Sequence, residues 1–172
     1  MKSLKIGDKV IYPNQGLGVV EAIHEEAYNG EKFTVFHLRI IGNNTLVTLP
    51  GASALELGIR RPMPEESIRK IYQFIGNGEV DVTTDWKGRY KEHLNLMKSG
   101  TLFDMATVLK SLYHLSLQKP LSFREKKMME KAKELMVSEI SEAVASPSSK
   151  VEEKILGALS RSFKAAKSRL AA

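Results

Sequence analysis

The hydrophobic pattern of this chain changes its period once, close to Pro62 and Pro64. Before that point, residues 8–50 hold four short runs rich in Val, Ile, Phe and Thr, namely DKVIY, GVVEAI, KFTVFHLRI and TLVTLP. Such runs predict strands, because β-branched and aromatic side chains pack well on a pleated surface. After Pro64 the apolar residues return at helical spacing. A single switch of this kind predicts an α+β chain with two domains, over residues 1–62 and 63–172.

Tight turns separate the predicted strands. Residues 13–16 (PNQG), Asn29-Gly30 and the GNN sequence at 42–44 all contain residues that tolerate positive φ, and Asn-Gly is a strong hairpin signal. Short strands at regular spacing are typical of small antiparallel barrels. We therefore expect the first domain to be a small antiparallel β-barrel.

The second part predicts a compact all-α domain of about five helices. Ser122 with Glu125 forms a capping-box pattern that opens the longest helix, and Ser149 with Glu152 repeats it after the helix-breaking Pro147. The predicted helices cover residues 64–76, 102–117, 122–144 and 149 onward, and a further helix starts at Thr83 or Thr84 and ends at residue 99. The last helix has an apolar stripe at Val151, Ile155, Leu159, Phe163 and Leu170.

The formal charge of +6 is distributed unevenly. Residues 1–62 hold seven Lys and Arg against six Asp and Glu, whereas residues 63–172 hold nineteen against fourteen. This surplus favours a polyanionic partner for the second domain, with nucleic acid as the first candidate. A solvated lysine-rich helical surface would have the same composition, so charge alone does not decide.

The usual signs of an enzyme are missing from the sequence. There is no cysteine, the four histidines lie far apart without metal-ligand spacing, and no GxxxxGK[ST] phosphate loop occurs. We therefore expect no catalytic residues, no metal, no cofactor and no enzymatic activity. The N-terminus lacks an apolar segment of the signal-peptide kind and no later run approaches membrane-spanning length, so we expect a cytoplasmic protein with no membrane partner.

One segment, WKGRYKEHLNLMKSG, interleaves aromatic and basic residues. Trp86, Arg89, Tyr90, His93 and Met97 follow helical spacing and share a face. Cations neutralise phosphates and an indole can stack on a base or wedge into a base step, so such a face suits nucleic acid. The alternative is that the stripe is core packing and that the lysines only solvate the helices.

A second basic cluster lies on the longest predicted helix. It consists of Arg124, Lys126, Lys127, Lys131 and Lys133. Together with the aromatic stripe it could follow a nucleic-acid strand. Packing and binding both remain open at this level.

The order of segments resembles the CarD/CdnL family of bacterial transcription regulators over residues 4–142. The segments that carry the resemblance are IGDKVIYPNQGLGVVEAI, NGEKFTVFHLRI, LVTLP, LGIRRPM, WKGRYKEHLNLMKSG, ATVLKSLY and LSFREKKMMEKAKELMVSEI. Transcription-repair coupling factor has a similar N-terminal module, but it also has motor motifs, which this sequence lacks. The order and spacing of the segments over both domains favour CarD/CdnL.

The resemblance implies a Tudor-like β-domain that docks on the β subunit of RNA polymerase and a helical domain that contacts promoter DNA. A tryptophan at the position of Trp86 would enter the minor groove at the upstream edge of the bubble and oppose re-annealing, reading DNA shape rather than sequence. The implied DNA-contacting residues are Trp86, Arg89, Tyr90, Lys91, Met97, Arg124, Lys126 and Lys127. The implied polymerase-contacting residues are Leu38, Val47, Thr48 and Pro50.

The sequence departs from the family pattern at three positions. Gly88 stands where the family usually has arginine, and Glu26 and Thr48 stand where some members place arginine toward the polymerase. We expect a monomer when free, associated with the nucleoid through RNA polymerase. The alternatives are a polymerase-binding adaptor whose helical domain recruits another protein, an enzyme whose site motifs do not reveal, and a free-standing sequence-specific repressor.

Overall fold

The computed structural model describes residues 4–77, 79 and 85–170, without the side chains of Leu55, Trp86 and Leu170. The chain divides into two compact units, Met1–Pro62 and Met63–Ala172. The first is a β-sheet with one short helix, and the second is helical. The predicted α+β layout of two domains is therefore confirmed.

The first unit is a curled half-barrel of four antiparallel strands. The strands are β1 (Lys9–Tyr12), β2 (Gly16–Tyr28), β3 (Glu31–Ile40) and β4 (Thr45–Pro50), and they lie in the order β1-β2-β3-β4. In the described part of the chain β1 and β4 do not pair, so the half-barrel stays open at β4. On the outer side of β1, its residue Ile11 forms an isolated antiparallel β-bridge with Arg60. A short helix, α1 (Gly51–Glu56), follows β4.

The turns and the core of this unit follow from its sequence. Asn29 and Gly30 have φ values of 51° and 83°, as a tight hairpin between right-twisted strands requires. Asn14 and Asn44 also take positive φ in the other two predicted turns. Apolar side chains of the sheet and of the segment after β4 fill the core, chiefly Val10, Val20, Leu38, Leu49, Ala54 and Ile59.

The described residues of the second unit form five helices, as predicted. They are α2 (Glu65–Gly76), α3 (Trp86–Ser99), α4 (Leu102–Ser116), α5 (Phe123–Ala143) and α6 (Ser148–Leu170). The predicted capping box of α5 is confirmed, since the Ser122 hydroxyl accepts from the Glu125 amide and the Glu125 carboxylate accepts from the Ser122 amide.

Helix α3 begins at Trp86, because the Asp85 carboxylate accepts hydrogen bonds from the backbone N–H groups of Lys87 and Gly88 at 3.2 and 2.9 Å. The predicted starts at Thr83 or Thr84 lie outside the described residues. The predicted start of α6 at Ser149 is wrong, because the helix already begins at Ser148.

Helix α4 is the centre of the helical unit. Ten of its fifteen residues are buried, and α2, α3, α5 and α6 all pack against it. One of the ten is Lys110, whose ammonium donates to the carbonyl of Phe74 at 2.9 Å and to the side chain of Asn77, satisfying the C-terminal end of α2. Burial lowers the pKa of Lys110 to about 8. The last helix closes this core through Val151, Ile155 and Leu159.

Neighbouring residues on α6 allow a test of this packing. Ile155 is fully buried, whereas Leu156 is 42% exposed. Ile155→Ala should lower the free energy of unfolding by about 2–5 kcal/mol, because it removes buried methyl groups and leaves a cavity. Leu156→Ala should change it by less than about 1 kcal/mol. Urea denaturation measures both, and equal losses would contradict the described orientation of α6.

Candidate nucleic-acid and polymerase interfaces

The aromatic and basic stripe of α3 is turned mostly toward the interior. Arg89, His93 and Met97 are only 2%, 4% and 4% exposed, and Tyr90 is half-buried against the helical core. This corrects the expectation that Arg89 and Met97 offer their side chains to DNA. The physical reason is the packing of α3 on α4, which covers that face. The backbone of Trp86 starts the helix, but its side chain lies outside the described part.

A buried ion pair joins the first turns of α3 and α5. The Arg89 guanidinium donates through Nη2 to Glu125 Oε1 at 2.7 Å, and both side chains are at most one-tenth exposed. Glu125 is also the carboxylate of the capping box at Ser122. Removing one partner of a buried pair typically costs about 3–5 kcal/mol, since the other charge is left uncompensated. The pair therefore fixes the start of α3 against the start of α5.

The surroundings of this pair shift three pKa values. Burial raises the pKa of Glu125, but the hydrogen bonds from Arg89 and Ser122 outweigh it and hold the carboxyl below its ordinary value. Burial, with Arg89 adding to it, lowers the pKa of His93 to about 4, so this imidazole is neutral near pH 7. The pKa of His114 on α4 is also lowered, mainly by burial.

The ion pair brings exposed cations from two helices to one end of the helical unit. These cations are Lys87 and Lys91 on α3 and Arg124, Lys126 and Lys127 on α5. Together with Phe123, they are called the α3–α5 surface below. Of the predicted DNA-contacting residues, Lys91, Arg124, Lys126 and Lys127 thus lie exposed on it. Between the cations at the start of α3 is Gly88, where a Cβ would lie 2.8 Å from the capping oxygen of Asp85.

Sequence analysis missed Phe123 as a member of this surface. Phe123 is the first residue of α5, is 71% exposed, and has the Lys127 ammonium 4.7 Å from its ring centroid. An aromatic residue with cations close to it in the sequence is the signal that singled out Trp86. It was available at Phe123 as well, because the residue after the N-cap of a capping box projects away from the buried Glu125.

The predicted polymerase-contacting residues lie on and next to the edge strand β4. Leu38 on β3 is only 1% exposed and points into the core, so it is not available to a partner, which corrects its predicted role. Val47 is half-buried against the same core. Thr48 and Pro50 are exposed, and the Thr48 hydroxyl lies 3.2 Å from Nδ1 of His37.

Strand β4 has a free edge, because the sheet ends with it. A free edge offers unpaired backbone N–H and C=O groups to an added strand. Leu46 is 46% exposed on this strand and adds apolar area that the sequence analysis did not single out. The edge is therefore suited to bind a polypeptide in extended conformation.

Within residues 4–77, 79 and 85–170, no three His, Asp or Glu side chains are grouped so that they could hold a metal ion. None of the described helices combines the length and the apolar character needed to cross a membrane.

Comparison with known proteins assigns both units. Residues 4–63 match the family model described as "CarD-like/TRCF RID domain", and residues 70–156 match "CarD, C-terminal domain". The chain is 32% identical over 136 residues to a protein named "Putative transcription factor YdeB" from Bacillus subtilis, an alignment that covers 79% of this chain and 89% of that one. The solution structure of the 72-residue N-terminal domain of Myxococcus xanthus CarD is 36% identical, covers 34% of this chain and 79% of its own, and gives a TM-score of 0.30.

The two family-model matches and the Bacillus subtilis relative define a transcription-associated regulator that interacts with RNA polymerase. Proteins of this class act as transcription factors and not as enzymes. The chain belongs to the CarD/CdnL family.

The low pKa of His93 predicts a pH-dependent stability. Because the folded pKa of about 4 lies below the ordinary 6.5, the unfolded chain binds more protons between these values, and stability falls as pH falls through that window. The full shift corresponds to roughly 3 kcal/mol. His93→Gln should therefore flatten the decrease in unfolding free energy from pH 6.5 to 4, measured by denaturant titration with far-UV circular dichroism. In His93→Gln, a part of the decrease in unfolding free energy with falling pH should remain, because the pKa of His114 is also lowered in the folded protein. An unchanged slope in His93→Gln would refute this assignment.

Proposed function

We propose that this protein binds the β subunit of RNA polymerase through residues 1–62 and stabilises the open promoter complex through residues 63–172. Its α3–α5 surface would contact the upstream edge of the bubble, with Trp86 as the wedge that opposes re-annealing. The buried Arg89–Glu125 pair carries the proposal, because it holds the start of α3, where Trp86 lies, beside the exposed cations of α5.

The roles within this surface differ from those expected from the family motif. Lys91, Arg124, Lys126 and Lys127 would neutralise phosphates directly, since all four are exposed. Arg89 and Met97 would act by positioning α3, because both are buried. Phe123 would add a second aromatic contact to DNA, next to the Lys127 ammonium.

The energetics of such a surface are sufficient for regulation. Stacking of an aromatic ring on a base is worth ~1–3 kcal/mol, and about 1.4 kcal/mol shifts an equilibrium tenfold. A few exposed cations give only weak, salt-sensitive binding to free DNA. Attachment of the first unit to polymerase would raise the effective concentration of the helical unit at the upstream edge of the bubble. Both units are then needed for the effect.

The free edge of β4 supports the polymerase contact. Strand addition would use backbone hydrogen bonds for affinity, while Leu46, Thr48 and Pro50 would contact the added strand with their side chains. Because Thr48 is uncharged, the polymerase contact on this strand would be more apolar than in CarD/CdnL family members that have arginine at this position.

A promoter-opening experiment tests the DNA contact. Fluorescence-detected opening by RNA polymerase holoenzyme is measured with no addition, with the protein, and with Trp86→Ala, Phe123→Ala or Tyr28→Ala. Trp86→Ala should abolish most of the gain in open complex, and Phe123→Ala should reduce the equilibrium constant for opening about fivefold or more. Tyr28→Ala is the matched control, since Tyr28 is also an aromatic residue with 71% exposure but lies on the first unit.

The same experiment separates the adaptor interpretation. If Trp86→Ala and Phe123→Ala bind polymerase and open the promoter as well as the unchanged protein, the helical unit does not act on DNA through these rings. The hypothesis of a polymerase-binding adaptor would then replace the hypothesis that Trp86 acts as a wedge.

A second experiment tests the polymerase contact at β4. Leu46→Glu places a charge on the free edge and should weaken binding to RNA polymerase at least tenfold, about 1.4 kcal/mol, in a titration by biolayer interferometry. Ile6→Glu is the control, since Ile6 is 65% exposed in the segment just before β1, at the opposite side of the sheet order. Equal affinities for the two variants would exclude the β4 edge as the contact.

A further inference from the structure

The last turns of α6 carry cations and no acidic residue. After Glu153 the sequence contains Lys154, Arg161, Lys164, Lys167 and Arg169 and neither Asp nor Glu. We name residues 161–169, which hold four of these five cations, the α6 arm. All four are exposed. Arg169 forms an ion pair with Glu79 at 3.9 Å, and both of these side chains are exposed to solvent. Such surface pairs contribute little.

Packing does not account for the arm. The apolar stripe of α6 ends in the core at Leu159. Among the residues of α6 with described side chains, the last buried one is Ser162, whose hydroxyl lies 2.9 Å from Nε2 of His114. From 163 to 169 every residue is half-buried or exposed, although the helix continues for about 10 Å at 1.5 Å per residue. The arm therefore presents its charge to solvent beyond the core.

The arm lies at the end of the helical unit that carries the α3–α5 surface. His114, which contacts Ser162, is two residues before the end of α4, and residues 117–121 then lead to Ser122 at the start of α5. In addition, α6 packs on α5 after the short connection 144–147, so its last turns return toward the end where α5 begins.

The chemistry of the arm fits a phosphate backbone better than a protein partner. Residues 161–169 span about 12 Å, over which duplex DNA carries about seven phosphate charges. Ser168, the exposed residue between Lys167 and Arg169, is small and lets the helix approach a phosphate backbone closely. The ring of Phe163 packs near that of His114, with centroids 5.4 Å apart, so the described side chains of the arm supply no exposed aromatic anchor of the kind that dominates protein interfaces.

We infer that the α6 arm is a second DNA-backbone contact, which binds duplex phosphates beside the α3–α5 surface. The inference rests on the proposed DNA contact of the helical unit and extends it. The arm lies outside residues 70–156, the part that matches the family model of the CarD C-terminal domain. Arg161, Lys164 and Lys167 would bind successive phosphates. The protein would then contact a longer stretch of duplex DNA without base specificity.

Salt dependence of DNA binding tests this inference. The full-length protein is titrated with a fluorescent forked duplex at several salt concentrations, and the slope of log K against log[salt] is compared with that of Lys164→Gln/Lys167→Gln. Loss of two phosphate contacts should reduce the slope by about 1.8, at roughly 0.9 per contact. The matched control is Lys150→Gln/Lys154→Gln, which removes two exposed cations from the other end of the same helix. Lys and Gln have similar helix propensities, so both variants should keep α6 intact.

The outcomes separate this inference from the proposed function. Lys126→Gln, a change on the α3–α5 surface, is measured in parallel. If it lowers the slope and Lys164→Gln/Lys167→Gln does not, the arm contact is refuted and the proposed DNA surface stands. If both α6 variants lower the slope equally, the effect is one of net charge and the arm has no special role. If only polymerase binding weakens in Lys164→Gln/Lys167→Gln, the arm contacts protein and the inference is wrong. Absence of salt-dependent DNA binding by the unchanged protein would overturn both proposals.

Discussion

Helix α4 is buried along most of its surface, and the other four helices of the helical unit are placed by the need to cover it. Two of its buried polar side chains, Lys110 and His114, each have a hydrogen-bonding partner on a different helix, the first on α2 and the second on α6. Buried polar groups without partners are costly. These contacts therefore set how α2 and α6 lie along α4, in addition to apolar packing. The position of every exposed side chain in the unit follows from this arrangement.

The Arg89–Glu125 pair performs a similar task where the candidate DNA surface is built. An apolar pair of similar volume could fill the same space, but it would not tie the capping carboxylate of α5 to one residue of α3. With the ion pair, the beginnings of two helices that are 36 residues apart in sequence lie side by side. The exposed cations of both helix starts then lie at the same end of the helical unit.

The sheet unit solves a different problem. A half-barrel that ends with β4 leaves a row of backbone groups uncovered, which is a liability for an isolated sheet but an advantage for a protein that binds another chain. Weak contacts at the two units reinforce each other when both partners belong to one assembly, because the second contact forms at high effective concentration. A modest edge strand and a modest basic surface are therefore compatible with the proposed action at promoters.

The sequence by itself determined the elements of this protein. Strand runs with Asn turns predicted β1–β4, and the Ser122–Glu125 box predicted the start of α5, because these signals act within a few residues of each other. The cap of α3 at Asp85 was not singled out from the sequence, although Asp is a favoured N-cap residue. The family motifs supplied the partner and the candidate residues.

Only the tertiary structure decided which face of each element is available. The spacing of Arg89 and Met97 describes a buried seam and an exposed stripe equally well, and contacts of α3 with α4 and α5 settled it as buried. Leu38 became core for the same reason, through its neighbours across the sheet, while Phe123 became exposed because Glu125 turned inward to Arg89. Periodicity fixes which residues share a face, but long-range packing determines whether that face meets the core or the solvent.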